Sequence, residues 1–90
     1  MSGTAGKSED DLLTERVGSF LREARERGGM SQTRLAVMIG AKQATISKIE
    51  HGKVLVTVAM AAAYLRALGL TLTLTIEPSM PPREIYSLTV

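Results

Sequence analysis

Lys42, Gln43, Ala44, Ser47 and Lys48 crowd one short stretch of the chain, and they are its groups best suited to chemistry with another molecule. Lys and Gln suit purine edges in the DNA major groove, and an Ala methyl can touch a thymine methyl. Upstream, Ser31 and Gln32 stand where a helix would open, so free backbone N–H groups and a side-chain amide offer a phosphate contact. A merely solvated helix face is the bland alternative, although such a face more often mixes in Glu. Catalysis has far less support, since there is no paired-carboxylate motif, Gly-rich phosphate loop or Ser/His/Asp set. His51 is the single histidine and cysteine is absent. No metal site, cofactor or enzymatic activity is therefore expected, and His51 is placed beside a DNA backbone or in solvent.

Short helices must carry these groups. Leu13, Val17, Phe20, Leu21 and Ala24 recur every three or four residues, which predicts an amphipathic helix from Asp10 to Arg27 that Gly28-Gly29 stop. A second helix follows Ser31, turns Leu35, Ala36 and Ile39 inward and ends at Gly40. A third runs from about Lys42 to Glu50 with Ile46 and Ile49 on its buried side, and Gly52 stops it. Thr57 caps a fourth through Leu68, built on Val58, Ala61, Ala62, Leu65 and Leu68. Met30 and Met38 read as core filler. The second and third helices, parted by Gly40-Ala41, have helix-turn-helix spacing; a plain αα-hairpin would show the same spacing.

The period then changes from 3.6 to 2. Leu70, Leu72, Leu74 and Ile76 alternate with Thr71, Thr73 and Thr75, a strand pattern. Pro78, Pro81 and Pro82 follow, and the chain closes with Ile85, Tyr86, Leu88 and Val90. The expected organisation is a disordered arm over 1–9, a helix-turn-helix domain over 10–69, a dimerisation strand over 70–77 and a Pro-containing tail over 78–90. Arg66 is the one charge between Val54 and Ile76, but Gly69 and the alternating threonines argue against a membrane span.

With 90 residues, 44% of them apolar and 22% charged, the chain has the composition of one small globular domain. The net charge of +2 hides an asymmetry. Residues 16–69 hold six Arg and three Lys against three Glu, a net of +6 between acidic ends of −3 and −1. A basic body of this kind suits a polyanionic partner. The charged N-terminus lacks the apolar region of a signal peptide, so a cytoplasmic, nucleoid-associated protein is expected.

From Leu21 to Gly52 the stretch LREARERGGMSQTRLAVMIGAKQATISKIEHG resembles the Xre/Cro-type helix-turn-helix domains of bacterial regulators. Within that family it is most similar to the HipB-type antitoxins of HipBA kinase toxin–antitoxin modules, through Lys42-Gln43-Ala44-Thr45-Ile46-Ser47 and the Leu/Thr strand after the last helix. HigA-type antitoxins and stand-alone repressors share the core motif. The resemblance implies an all-α, lambda-repressor-like helix-turn-helix domain of four to five helices with one C-terminal β-strand. It implies base contacts from Lys42, Gln43, Ala44 and Ser47, and phosphate contacts from Ser31, Gln32 and Lys48. It further implies a partly buried ion pair of Arg25 with Glu50, in keeping with Arg25 bordering the apolar stripe. Ala41 departs from the capping Ser or Thr of many relatives, so the third helix is expected to start less well capped.

No second strand pattern is evident to pair with Leu70, Leu72, Leu74 and Ile76, whose backbone groups need partners. The same strand of a second copy, antiparallel about a two-fold axis, is the simplest answer, with the leucines covering the fourth helices. A monomer whose strand pairs with residues 83–90 is the alternative, made awkward by the prolines. A homodimer would set two recognition helices about 34 Å apart and read an inverted-repeat operator. The expected function is a dimeric transcriptional repressor that is also an antitoxin, with a kinase-like toxin as partner; a regulator without a toxin, or a helical module that never touches DNA, are the alternatives. The tail either folds back on the dimer or orders on the toxin with Tyr86 as anchor.

Overall fold

The computed structural model describes residues 7–79 and 85–90. Four helices run in order, α1 (Glu9–Arg27), α2 (Gln32–Ile39), α3 (Gln43–Glu50) and α4 (Val58–Ala67), followed by β1 (Thr73–Ile76) and β2 (Tyr86–Thr89). Capping explains most starts. Ser8, expected in the arm, is the N-cap of α1: its hydroxyl accepts from Asp11 N at 3.1 Å while the Asp11 carboxylate accepts from Ser8 N at 3.4 Å. Residues 1–6 of that expected arm lie outside the described residues. Ser31 and Thr57 cap α2 and α4 through Arg34 N and Met60 N. The α3 cap position is Lys42 rather than Ala41, and it makes no side-chain capping bond. Ala41 instead packs, half-buried, against the core.

Leu21, Leu35, Ala36, Ile46, Ile49, Tyr64 and Leu65 form that core. On α1 the inward face is Gly18, Leu21 and Arg25, with Ala24 packed beside them, so the expected stripe holds at Leu21 and Ala24 and is turned away at its other three residues. Leu13, Val17 and Phe20 are consequently exposed. The cause is Gly18, where a Cβ would fall 2.2 Å from the Ile49 carbonyl oxygen. α1 lies backbone to backbone on the end of α3 at that point, and the contact sets its rotation. Met38 and Val58 are exposed as well, whereas Met30 does pack on the core. Tyr64, outside the expected α4 stripe, is fully buried.

The strand finds its partner within its own chain. β1 pairs antiparallel with β2 in the register Thr73↔Thr89, Leu74↔Leu88, Thr75↔Ser87 and Ile76↔Tyr86, and Val90 N extends the ladder to Leu72 O at 2.8 Å. This corrects the expectation of a lone strand over Leu70–Ile76 whose leucines cover the fourth helices. Tyr86 and Leu88 alternate with Ser87 and Thr89 in phase with β1, so the two strands bond through their backbones while their apolar residues share one face. Pro81 and Pro82 stand between the strands in sequence, outside the described residues, and none of the paired residues is a proline. Only Leu72 of the described strand region packs against the core. Among the described residues no helix is long and apolar enough to cross a membrane.

Candidate nucleic-acid interface

α2 and α3 meet through Gly40, which ends α2 at φ 71°, a left-handed conformation natural to glycine. Ala41 N then donates to Ala36 O at 2.9 Å, fixing the turn. Ile46, Ile49 and Glu50 bury the inner side of α3, which leaves Lys42, Gln43, Ala44 and Lys48 exposed and Ser47 half-buried. The turn thus brings all four expected base-reading residues onto the accessible side of one helix. Glu50 is the single carboxylate between Glu26 and Glu77, and it is buried. Arg27, Arg34, Lys42, Lys48, Lys53 and Arg66 are therefore the exposed charges of this region, and all are positive.

Behind the exposed face lies a hydrogen-bonded chain. The Arg25 guanidinium grips the Glu50 carboxylate with two bonds, Nε to Oε2 at 2.7 Å and Nη2 to Oε1 at 2.9 Å. A third bond runs from Nη1 to the Met30 carbonyl at 2.7 Å. Tyr64 donates its hydroxyl to Glu50 Oε2 at 2.5 Å, and Gln32 Nε2 donates to Glu50 Oε1 at 3.0 Å. Gln32 Oε1 in turn accepts from Gln43 Nε2 at 2.6 Å. The buried carboxylate thereby orients Gln32, and Gln32 orients Gln43. Among the described residues no buried side-chain polar atom lacks a partner.

The charges respond accordingly. Burial pushes the Glu50 carboxyl up, but the bonds from Arg25, Tyr64 and Gln32 and the Arg25 charge outweigh it, leaving it below its ordinary 4.5. Burial and the Glu50 carboxylate raise the Tyr64 hydroxyl. Arg25 is raised by its bond to Glu50.

The expected ion pair is thus present, while Gln32 sits differently from expectation: its amide is bonded to Glu50 and Gln43, leaving the backbone N–H at the start of α2 as its group for a phosphate. Ser31 Oγ accepts the capping bond, and its hydroxyl hydrogen is still a donor. His51 caps α3, with Nδ1 2.7 Å from Ser47 O, and its ring is exposed. Tyr64 and Gly18 were not anticipated. A polar tip on an otherwise apolar helix, and a glycine inside a helical pattern with no stop to make, were their signals. Among the described residues no group of His, Cys, Asp and Glu could hold a metal ion.

A helix whose exposed charges, Lys48 and the Lys42 cap, are all positive, held against its neighbour by a turn of this kind, defines a helix-turn-helix DNA-binding fold. Residues 21–74 match the Helix-turn-helix family HTH_3, and the chain belongs to that Xre-type family. The structure is similar to that of the clp gene regulator ClgR from C. glutamicum, with a TM-score of 0.63 and 25% identity, covering 74% of this chain and 82% of that one. No curated protein sequence matches the chain.

Proposed function

We propose that the protein is a homodimeric transcriptional repressor that lays α3 in the major groove of an inverted-repeat operator. Lys42, Gln43, Ala44 and Ser47 read base edges, and Ser31, Gln32 and Lys48 hold the phosphates. The observation that carries this reading is the Glu50–Gln32–Gln43 chain, which fixes an exposed amide on a helix with no exposed carboxylate. Preorganisation of that sort serves a reader and does nothing for a solvated surface. Similarity to ClgR, a gene regulator, supports the regulatory role.

Two substitutions test it. Gln43→Ala is expected to cost roughly 1–3 kcal/mol on the specific operator and to relax preference at one base position, leaving binding to random DNA nearly unchanged. Equal losses on both DNAs would remove Gln43 from the readers. Lys48→Ala should weaken binding to every sequence and lower the salt dependence, log K against log salt, by about 1 per lost phosphate contact, hence about 2 per dimer. The antitoxin role is supported by the Lys42–Ser47 resemblance. Co-expression with a kinase-like product of an adjoining reading frame tests it, and failure to form a complex leaves a stand-alone regulator.

A further inference from the structure

β1 and β2 make a ribbon with two unlike faces. Thr73, Thr75, Ser87 and Thr89 lie on one, and Leu74, Ile76, Tyr86 and Leu88 on the other. The apolar side chains are not buried: Leu74 is 40% exposed, Ile76 70% and Leu88 63%. At its root the same face begins well, since Leu72 packs against the helical core, but farther along, the ribbon runs off the body. The radius of gyration is 15.3 Å, against about 12 Å for a compact chain of this length. A two-stranded ribbon is marginal in water by itself and needs its apolar side covered.

We infer that the apolar face of this ribbon is the contact surface for a second copy of the chain, packed face to face about a two-fold axis. The face carries no charge, so a copy of itself meets no repulsion, and like surfaces pair naturally across a two-fold. The apolar surface continues toward the body through Leu70, which lines an open groove of about 370 Å³ with Phe20, Ala24 and Leu68; Glu23 and Arg27, of opposite sign, also line that groove. The exposed parts of Phe20, Leu70 and the four ribbon residues come to roughly 600 Å² per chain, about 1,200 Å² for a pair, the lower end of specific interfaces. A second exposed apolar patch, where Leu13 and Val17 of α1 meet Leu55 and Val56, offers a smaller groove of about 130 Å³ and is bordered by Glu9, Glu15 and Arg16 beside Leu13. This surface rests on the dimer of the proposed function and differs from strand-to-strand pairing, because it uses the side-chain face of the ribbon and not the outer backbone edges of β1 and β2.

Sedimentation of the full chain at tens of micromolar tests the inference without DNA. Ile76→Asp and Leu88→Asp, each burying a charge at the contact, are expected to raise the dimer dissociation constant about 30-fold or more. Thr75→Asp puts the same charge on the opposite face of the same strand and should leave the dimer intact. Circular dichroism is expected to show the helices unchanged in all three. Because the chain has no cysteine, Ile76→Cys should form a disulfide-linked dimer on oxidation and Thr75→Cys should not. A wild-type monomer would overturn both the dimer and the surface. A dimer that survives Ile76→Asp and Leu88→Asp, with no cross-link in the Ile76→Cys variant, would overturn the surface alone.

Discussion

Truncating Glu50 to Ala is expected to cost about 3–5 kcal/mol of folding stability, the usual effect of removing one member of a buried charged pair. The Glu50 side chain has no exposure and that of Arg25 only 10%. Its loss strands the Arg25 guanidinium and leaves the Tyr64 hydroxyl and the Gln32 amide without their shared acceptor. Removing the pair together, as Arg25→Met/Glu50→Leu, should recover much of the loss, and adding Tyr64→Phe should remove the remaining orphan. Thermal melts read all three. A loss under about 1 kcal/mol, the value of exposed pairs, would mean that the network contributes little.

The same carboxylate predicts a pH dependence. Its pKa in the folded state lies below the ordinary 4.5, so its contribution is complete above that value and is lost as pH falls through the folded pKa. Tyr64 acts at the other end. Its pKa is raised above the ordinary 10.0, so its contribution is complete below that value and fades as pH climbs through the folded pKa. Glu50→Gln should flatten the acid limb of the stability profile; an unchanged acid limb would place the acid sensitivity elsewhere.

Gly18→Val is expected to cost about 3 kcal/mol or more, at or beyond the upper end of overpacking effects. Helix propensity argues the reverse, because Gly is about 1 kcal/mol worse than Ala inside a helix. Contact decides the sign. The added Cβ would lie 2.2 Å from the Ile49 carbonyl oxygen and 3.1 Å from that of Glu50, and backbone oxygens cannot rotate away as a flexible side chain would. α1 must therefore back off α3, loosening the Arg25–Glu50 grip. Gly28→Ala serves as the comparison. Gly28 has φ −79°, and its nearest would-be contacts are at 3.5 Å, so that change should be neutral or stabilise by about 0.4–1 kcal/mol. Similar melts for Gly18→Val and Gly28→Ala would refute the close-contact argument.

The helices of this chain were legible because their signals are local. Ser31, Thr57 and Gly40 act on backbone groups within a few residues, and apolar spacing of three and four marks a helix wherever it packs. The carboxylate-free face of α3 was legible for the same reason, since helix geometry alone puts Ala44, Ser47 and Lys48 away from Ile46 and Ile49, whereas Lys42 is exposed because its extended N-cap backbone stands outside the helix. The Arg25–Glu50 pair was reached through family resemblance, because its residues stand far apart in the chain and nothing local joins them.

Other features depend on contacts between distant segments. Spacing groups Leu13, Val17, Phe20, Leu21 and Ala24 on one stripe but cannot say which side of it turns inward; the Gly18 approach to α3 chose the side of Leu21 and Ala24. The burial of Tyr64 followed from an acceptor fourteen residues away in sequence. The pairing of β1 with β2 depended on whether the chain between them could return, a matter of loop closure and register rather than of either strand's own pattern. Periodicity and capping arise from interactions a few residues apart and can be read along the chain. Rotation about a helix axis, the partner of a strand and the neighbours of a buried hydroxyl are selected by packing the whole, where the free energy of each contact depends on all the others.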